Sequence, residues 1–210
     1  MGLKASIARN FRKPTGFMGW LIGKFMNKGN DFMNRFTIGF LDPQPSDRIL
    51  EIGFGNGKYM REIAEKMTNG LMAGVDYSRT MVDQAKKRNR AFIRKGVVDI
   101  KLGEVNRIPF DTGAFDKVFT VNTIYFWPNP DSDIQEVRRI LKPGGRLLIA
   151  FRSKEKMEKL DLARHGFTLY EPEQVKELAR KAGFTDIRLE SSEDGTMDVN
   201  CLIAVKPADA

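Results

Sequence analysis

The stretch Ile49-Leu50-Glu51-Ile52-Gly53-Phe54-Gly55-Asn56-Gly57 constrains this chain more than any other. A short apolar run closes on an acid and passes directly into three glycines on alternate positions. Glycine adopts backbone angles that side chains resist, and it lets a ligand approach the main chain closely. From Lys58 to Met67 the chain reads as a helix, with Ile63, Ala64 and Met67 on one face. Strand, glycine turn and helix, in that order, form the opening unit of a nucleotide-binding α/β sheet.

The turn departs from the dinucleotide pattern G-x-G-x-x-G, because Lys58 stands where that pattern needs glycine and the third glycine comes one residue early. Glu51 ends the strand, where a carboxylate is costly to bury without donors or a cation. A ligand carrying an ammonium or sulfonium would offset that cost.

The remaining chain alternates strands and helices. Strands are expected at 71–76, 97–102, 114–121, 146–151, 184–189 and 199–205, and helices at 79–95, 131–141 and 173–182. Ser78 is placed as an N-cap, and Leu141-Lys142-Pro143-Gly144-Gly145 as a turn into the fifth strand. Alternation predicts a parallel sheet covered on both faces. The last two strands are joined by a short link at 191–196, so they should be antiparallel. The expected fold is therefore α/β, a Rossmann-like doubly wound sheet, mostly parallel with an antiparallel final strand. Asp76 lies 19 residues after Gly57, at the distance where such folds present a carboxylate to ribose hydroxyls.

A chain of 210 residues suits one domain with an attached segment. The single Cys201 excludes an internal disulfide and a cysteine-rich metal site, and fits a reducing, cytoplasmic setting. With one histidine as well, no zinc-type cluster is available, and no metal is expected. No apolar run is long enough to span a bilayer, and no signal peptide is legible. The net charge of +8 is concentrated in two places: residues 79–95 hold seven Lys or Arg against Asp83, and residues 1–45 hold seven against Asp31 and Asp42.

In residues 1–45 aromatics are mixed with the basic residues. Phe17, Met18, Trp20, Leu21, Ile22, Phe25 and Met26 crowd one helical stretch; Phe32, Met33, Phe36, Phe40 and Leu41 mark a second. Residues 42–46 then break the chain. The division expected is a helical lid over 1–45 and a ligand-binding domain over 46–210, with the sheet able to form without the lid. Ordinary packing of these helices on the sheet is the competing reading. Peripheral contact with a membrane surface through 1–45 stays open.

Four stretches, Glu51–Gly57, Gly74–Ser78, Gly103–Val118 and Leu141–Gly145, fall in an order and spacing that closely resemble the class I S-adenosylmethionine (SAM)-dependent methyltransferases. The branch they are similar to is that of the quinone-biosynthesis C-methyltransferases. The resemblance implies that SAM is the cofactor. It places Gly53, Gly55 and Gly57 along the methionine part, with Glu51 supporting their loop, and Asp76 on both ribose hydroxyls. It also implies that Tyr77 and Met81 flank the adenine, that Glu104 and the Val105 backbone meet it, and that Asn122 lies at the reactive end. Many relatives carry Asp where this chain has Glu104.

Substrate-side candidates are Tyr125, Phe126 and Trp127 after the fourth strand, and the stretch from His165 to Tyr170 after the fifth. Tyr125 and His165 are the candidates for catalysis. The partner expected is a small organic acceptor, methylated by direct in-line transfer, and no nucleic acid. Phospholipid or other amphiphile methylation, a SAM-binding subunit without its own activity, and a nicotinamide dehydrogenase are the alternatives. The acceptor and the oligomeric state are not legible in the sequence.

Overall fold

The computed structural model describes residues 30–159, 167–195 and 197–208. Helix α1 spans Asp31–Leu41, and strand β1 Arg48–Ile52 follows it. Next come α2 Lys58–Ala64, β2 Leu71–Asp76, α3 Arg79–Arg88, α4 Arg90–Arg94 and β3 Val98–Leu102. A loop leads to β4 Phe115–Val121, a short 3₁₀ turn Ile124–Phe126, α5 Pro130–Ile140 and β5 Leu141–Phe151. The chain closes with α6 Lys154–Glu158, α7 Pro172–Lys181, β6 Thr185–Asp194 and β7 Met197–Val205.

The strands form one seven-stranded sheet in the order β3-β2-β1-β4-β5-β7-β6. Pairings from β3 across to β5 are parallel, and β7 runs antiparallel to both β5 and β6. This is the mostly parallel sheet with antiparallel closing strands that the alternation predicts. β1 is buried from Ile49 to Ile52, as a parallel strand covered on both faces should be. Its apolar run is therefore continuous rather than alternating.

Three elements differ from the sequence reading, the first being β6, which runs on to Asp194 through most of the link expected at 191–196. The basic helix expected over 79–95 is two helices, separated at Asn89. Asn89 is fully buried and donates its side-chain amide to the Gly57 and Ala85 carbonyls, so it links two helices at the point where one long helix would run on. Residues 141–145 lie inside β5, where they form an irregularity in the pairing with β4, between Phe115 and Lys117.

Part of the segment expected as a lid belongs to the core. Helices α2 and α3 cover one face of the sheet beside β1 and β2, and α5 and α7 cover the other. The crossover between β5 and β6 carries α7 on that second face. The first face over β4 and β5 would stay bare without α1, whose Met33, Thr37 and Leu41 are fully buried there. Lys117 secures the end of α1 by donating to the Asp42 carbonyl at 2.6 Å while pairing with Asp47 at 2.7 Å. Within 31–41 the competing reading, a helix packed on the sheet, describes the observed contacts. Of the first helical stretch, 17–26, nothing can be placed, because it lies outside the described residues.

Candidate active site

A cavity of about 370 Å³ opens at the carboxyl ends of β1, β2 and β4. β2 and β4 flank β1 on opposite sides, so this is the point where strand order reverses and open α/β sheets bind ligands. The volume lies within the range of small-molecule sites.

The floor is the glycine loop. Gly53 has φ +73, and a Cβ there would lie 2.4 Å from the Thr123 methyl carbon. Only glycine lets the β1 and β4 ends approach so closely. Gly55, at φ +57, has nothing within 4 Å of a Cβ position, so its backbone faces open space. Gly57 differs: it caps α2 at φ +70, and a Cβ would meet Ala85 and Asn89 at 2.7 and 2.8 Å. It does not line the cavity. Its absent side chain lets α2 and α3 pack, a reason for glycine here separate from the ligand contact the resemblance implies.

Two carboxylates enter from neighbouring strands. Asp76 accepts the Gly55 N–H at 3.1 Å on one oxygen and the Ser78 N–H at 2.9 Å on the other. Burial nevertheless raises its pKa to about 6. Glu51 is 3% exposed, and its Oε2 has no hydrogen-bond partner. Desolvation, aided by the nearby Asp76 charge, raises its pKa to about 8. A buried carboxylate with an unmet oxygen in a ligand-sized cavity fits a cationic ligand. Tyr77, Met81, Glu104 and Val105 complete this half of the wall.

The other half is built from the β4 end and α1. Asn122 takes a left-handed backbone, φ +58, which asparagine tolerates better than most residues. Its amide donates to Asn30 Oδ1 at 2.9 Å, and its Oδ1 accepts from the Tyr125 hydroxyl at 3.3 Å. Thr120 and Thr123 share a short hydroxyl contact, and Thr120 also donates to the Ile52 carbonyl at 2.8 Å. Trp127 donates its ring N–H to Thr123 at 3.3 Å. Asn34, Tyr59, Phe126 and Pro128 also face the space.

Tyr125 does not line the cavity. It is 2% exposed; its hydroxyl accepts the Arg152 N–H at 2.5 Å and lies 3.2 Å from the Arg152 carbonyl. Burial holds its phenol protonated well above the usual range. These contacts join the β4 and β5 ends, so the tyrosine read as catalytic is a buried brace behind Asn122. His165 lies outside the described residues.

Sequence reasoning missed Asn30, Asn34, Phe54, Asn56, Tyr59 and Thr123, all of which line the cavity. Asn30, just before a helix rich in apolar residues at helical spacing, is the one that carried a legible signal, as a helix start. Its partner, 92 residues away, was not legible. No group of three or more His, Cys, Asp or Glu able to hold a metal occurs among the described residues. None of their helices is long and apolar enough to cross a membrane.

Residues 50–149 match the methyltransferase domain family. The uncharacterised methyltransferase YdaC of Bacillus subtilis is 30% identical over 195 residues, covering 90% of this chain and 99% of the relative. The ubiquinone/menaquinone biosynthesis C-methyltransferase UbiE of Geotalea daltonii is 29% identical over 116 residues, 55% of this chain and 49% of its own. A SAM-dependent methyltransferase structure from Aquifex aeolicus superposes with a TM-score of 0.71 at 21% identity, covering 88% of this chain and 96% of that one. The chain therefore belongs to the class I SAM-dependent methyltransferases, and its cofactor is SAM.

Proposed function

We propose that this enzyme transfers the sulfonium methyl of SAM to a small organic acceptor by direct in-line attack, with the residues of the cavity acting through position and charge. One observation supports this most: Glu51 and Asp76, both buried, face a ligand-sized cavity whose described lining holds no Lys, Arg or His. When bound, SAM supplies a methyl group that is already electrophilic.

The chain's own residues do the rest. The backbone N–H bonds from Gly55 and Ser78 hold Asp76 in place, and each of its oxygens keeps a lone pair for a ribose hydroxyl. Gly53 and Gly55 leave the main chain open to the methionine part, and Glu51 supplies the negative charge beneath it. Tyr77 and Met81 are assigned to the adenine, with Glu104 and Val105 at its edge. Asn122 stands between this half and the aromatic half, beside the reacting centre. The apolar wall excludes water as charge is redistributed. Holding the nucleophile in line can supply much of the barrier reduction. The described acceptor-side wall, from Tyr59 to Trp127, offers no base on its own account, since Tyr59 donates its hydroxyl to Asp31 at 2.7 Å.

Calorimetric titration of the full chain with SAM, S-adenosylhomocysteine and NAD tests the cofactor half of this reading. Binding of the first two and not of NAD is expected, and the reverse would defeat it. Release of S-adenosylhomocysteine across a panel of acceptors tests the rest; an absence of turnover with every acceptor would favour a binding subunit.

A further inference from the structure

The basic stretch within 79–95 takes no part in the cavity. Each of the other described α-helices pairs a cation with an acid of its own: Arg35 with Asp31 on α1, Lys58 with Glu62 on α2, Arg139 with Glu136 on α5, Lys154 with Glu158 on α6 and Arg180 with Glu177 on α7. The end of α3 and all of α4 are built otherwise. Lys86, Lys87, Arg88, Arg90, Arg94 and Lys95 are all exposed, and residues 86–95 contain no acid. The nearest acids in sequence are Asp83, and Asp99 on β3, which pairs with Lys101 at 3.6 Å. Of the six cations, Arg88 alone has a side-chain partner among the described residues, the neutral Asn56 at 2.6 Å. Burial lowers the Arg88 pKa, and the Arg61 charge beside it adds to the fall. Like charges three and four residues apart destabilise a helical surface, and nothing within the described chain offsets that here. An anionic surface from outside would.

The same residues favour a lipid surface over a nucleic acid. A single strand is gripped by stacking aromatics, and base edges are read by amides. Residues 86–95 expose neither: Asn89 is buried and spent on the Gly57 and Ala85 carbonyls, and Phe92 is packed against the core. Phe92 and Ile93 are nevertheless only half-buried, and they lie between Arg90 and Arg94. Half-covered apolar side chains bracketed by cations suit the boundary between headgroups and acyl chains. Four to eight basic residues on such a helix match what anionic lipid recognises. The ridge also adjoins the site, because Asn56, the partner of Arg88, lines the cavity. We propose that the α3–α4 ridge docks this enzyme reversibly on an anionic lipid bilayer, with its Lys and Arg side chains at the level of the phosphates and the cavity mouth beside the membrane. This surface is distinct from the contact through 1–45 that the sequence left open, and it depends on neither the cofactor nor the acceptor.

Sedimentation of the full chain with vesicles tests this, using phosphatidylcholine alone and equal parts of phosphatidylcholine and phosphatidylserine. Binding to the mixed vesicles only, weakening as salt rises, is expected. The triple variant Lys87→Gln, Arg90→Gln, Arg94→Gln should weaken it roughly a hundredfold, at about fivefold per cation. Lys86→Gln with Lys95→Gln is a milder second variant and should weaken it roughly thirtyfold. As a control, Lys154→Gln, Lys159→Gln, Lys176→Gln removes the same charge from paired positions elsewhere, and should change binding by less than roughly threefold. Each variant is titrated with S-adenosylhomocysteine to show that it is folded. Equal binding to neutral vesicles, equal losses in the ridge and control variants, or full binding by the ridge variants would overturn the proposal. So would a failure to bind the mixed vesicles, whether or not a mixed-sequence RNA oligonucleotide binds. The cofactor reading is scored by the unmodified chain's titration and does not depend on the vesicles.

Discussion

The turn after β1 and the turn after β4 wall the same cavity and are built in opposite ways. The first has glycine at positions 53, 55 and 57, all at positive φ, and offers mostly backbone. The second reaches positive φ at Asn122 without glycine and fills its volume with Thr123, Tyr125 and Trp127, each tied by a hydrogen bond. Bare backbone suits a ligand that never changes. Interlocked side chains can be exchanged, so they suit the partner that differs from enzyme to enzyme.

The largest way to break this contrast is Gly53→Val, which attacks both turns at once. The new side chain would overlap Thr123 and force a β-branched residue to φ +73. Strain and overpacking together should cost about 3 kcal/mol or more, with loss of SAM binding. Urea unfolding and calorimetry would show it, and Thr123→Ala should restore part of the stability.

Gly55→Val separates the two effects. Nothing crowds that position, so the strain of φ +57 should cost only about 1–2 kcal/mol. SAM affinity should nevertheless fall by roughly a hundredfold, because the side chain occupies the ligand's space. Normal affinity in a folded variant would show that the ligand does not approach the loop.

Asp76→Ala should weaken SAM by roughly ten- to a hundredfold through lost charged hydrogen bonds. An unchanged dissociation constant would make Asp76 only the buckle between Gly55 and Ser78.

Glu51 gives a pH signature. Its folded pKa is raised to about 8 from an ordinary value of 4.5, so the folded chain binds more protons than the unfolded chain between those limits. Stability of the ligand-free protein should therefore fall as pH rises from about 5 to 8. Asp76 adds to the fall in the lower part, up to about 6. Glu51→Gln should flatten the upper part, and SAM should offset it. A melting temperature that climbs over this range in the ligand-free protein would contradict the assignment.

The smallest effect is expected from Tyr125→Phe, which loosens only the brace behind Asn122. A loss of about 1 kcal/mol is expected from the lost Tyr125–Arg152 hydrogen bond, with SAM affinity changed by less than roughly threefold.

Much of the sheet was legible because its parallel strands are continuous apolar runs punctuated by glycine, and periodicity reports exactly that kind of burial. The carboxylates at strand ends were legible for a related reason: an acid closing an apolar strand demands a partner. The packing contacts of Gly57 and Tyr125 were not legible because chain position cannot say which side of a turn a residue faces. Gly57 answers to Ala85 and Asn89, and Tyr125 to Arg152, all contacts between elements far apart in sequence. Helix α1 was read as peripheral because nothing local records that the crossover between β5 and β6 leaves one face of β4 and β5 uncovered.

The position of β7 also has a consequence in time. β6 precedes β7 in the chain, yet β7 is the strand that joins β5, and β6 reaches the sheet only through it. The β5 edge stays unpaired on that side until β7, which follows β6 in the chain, is available to pair with it. An open strand edge with apolar Leu147 to Phe151 along it is a surface on which other chains can assemble. That edge closes at the same end of the sheet as the cavity, where Phe151 at the end of β5 pairs with Asn200 near the start of β7.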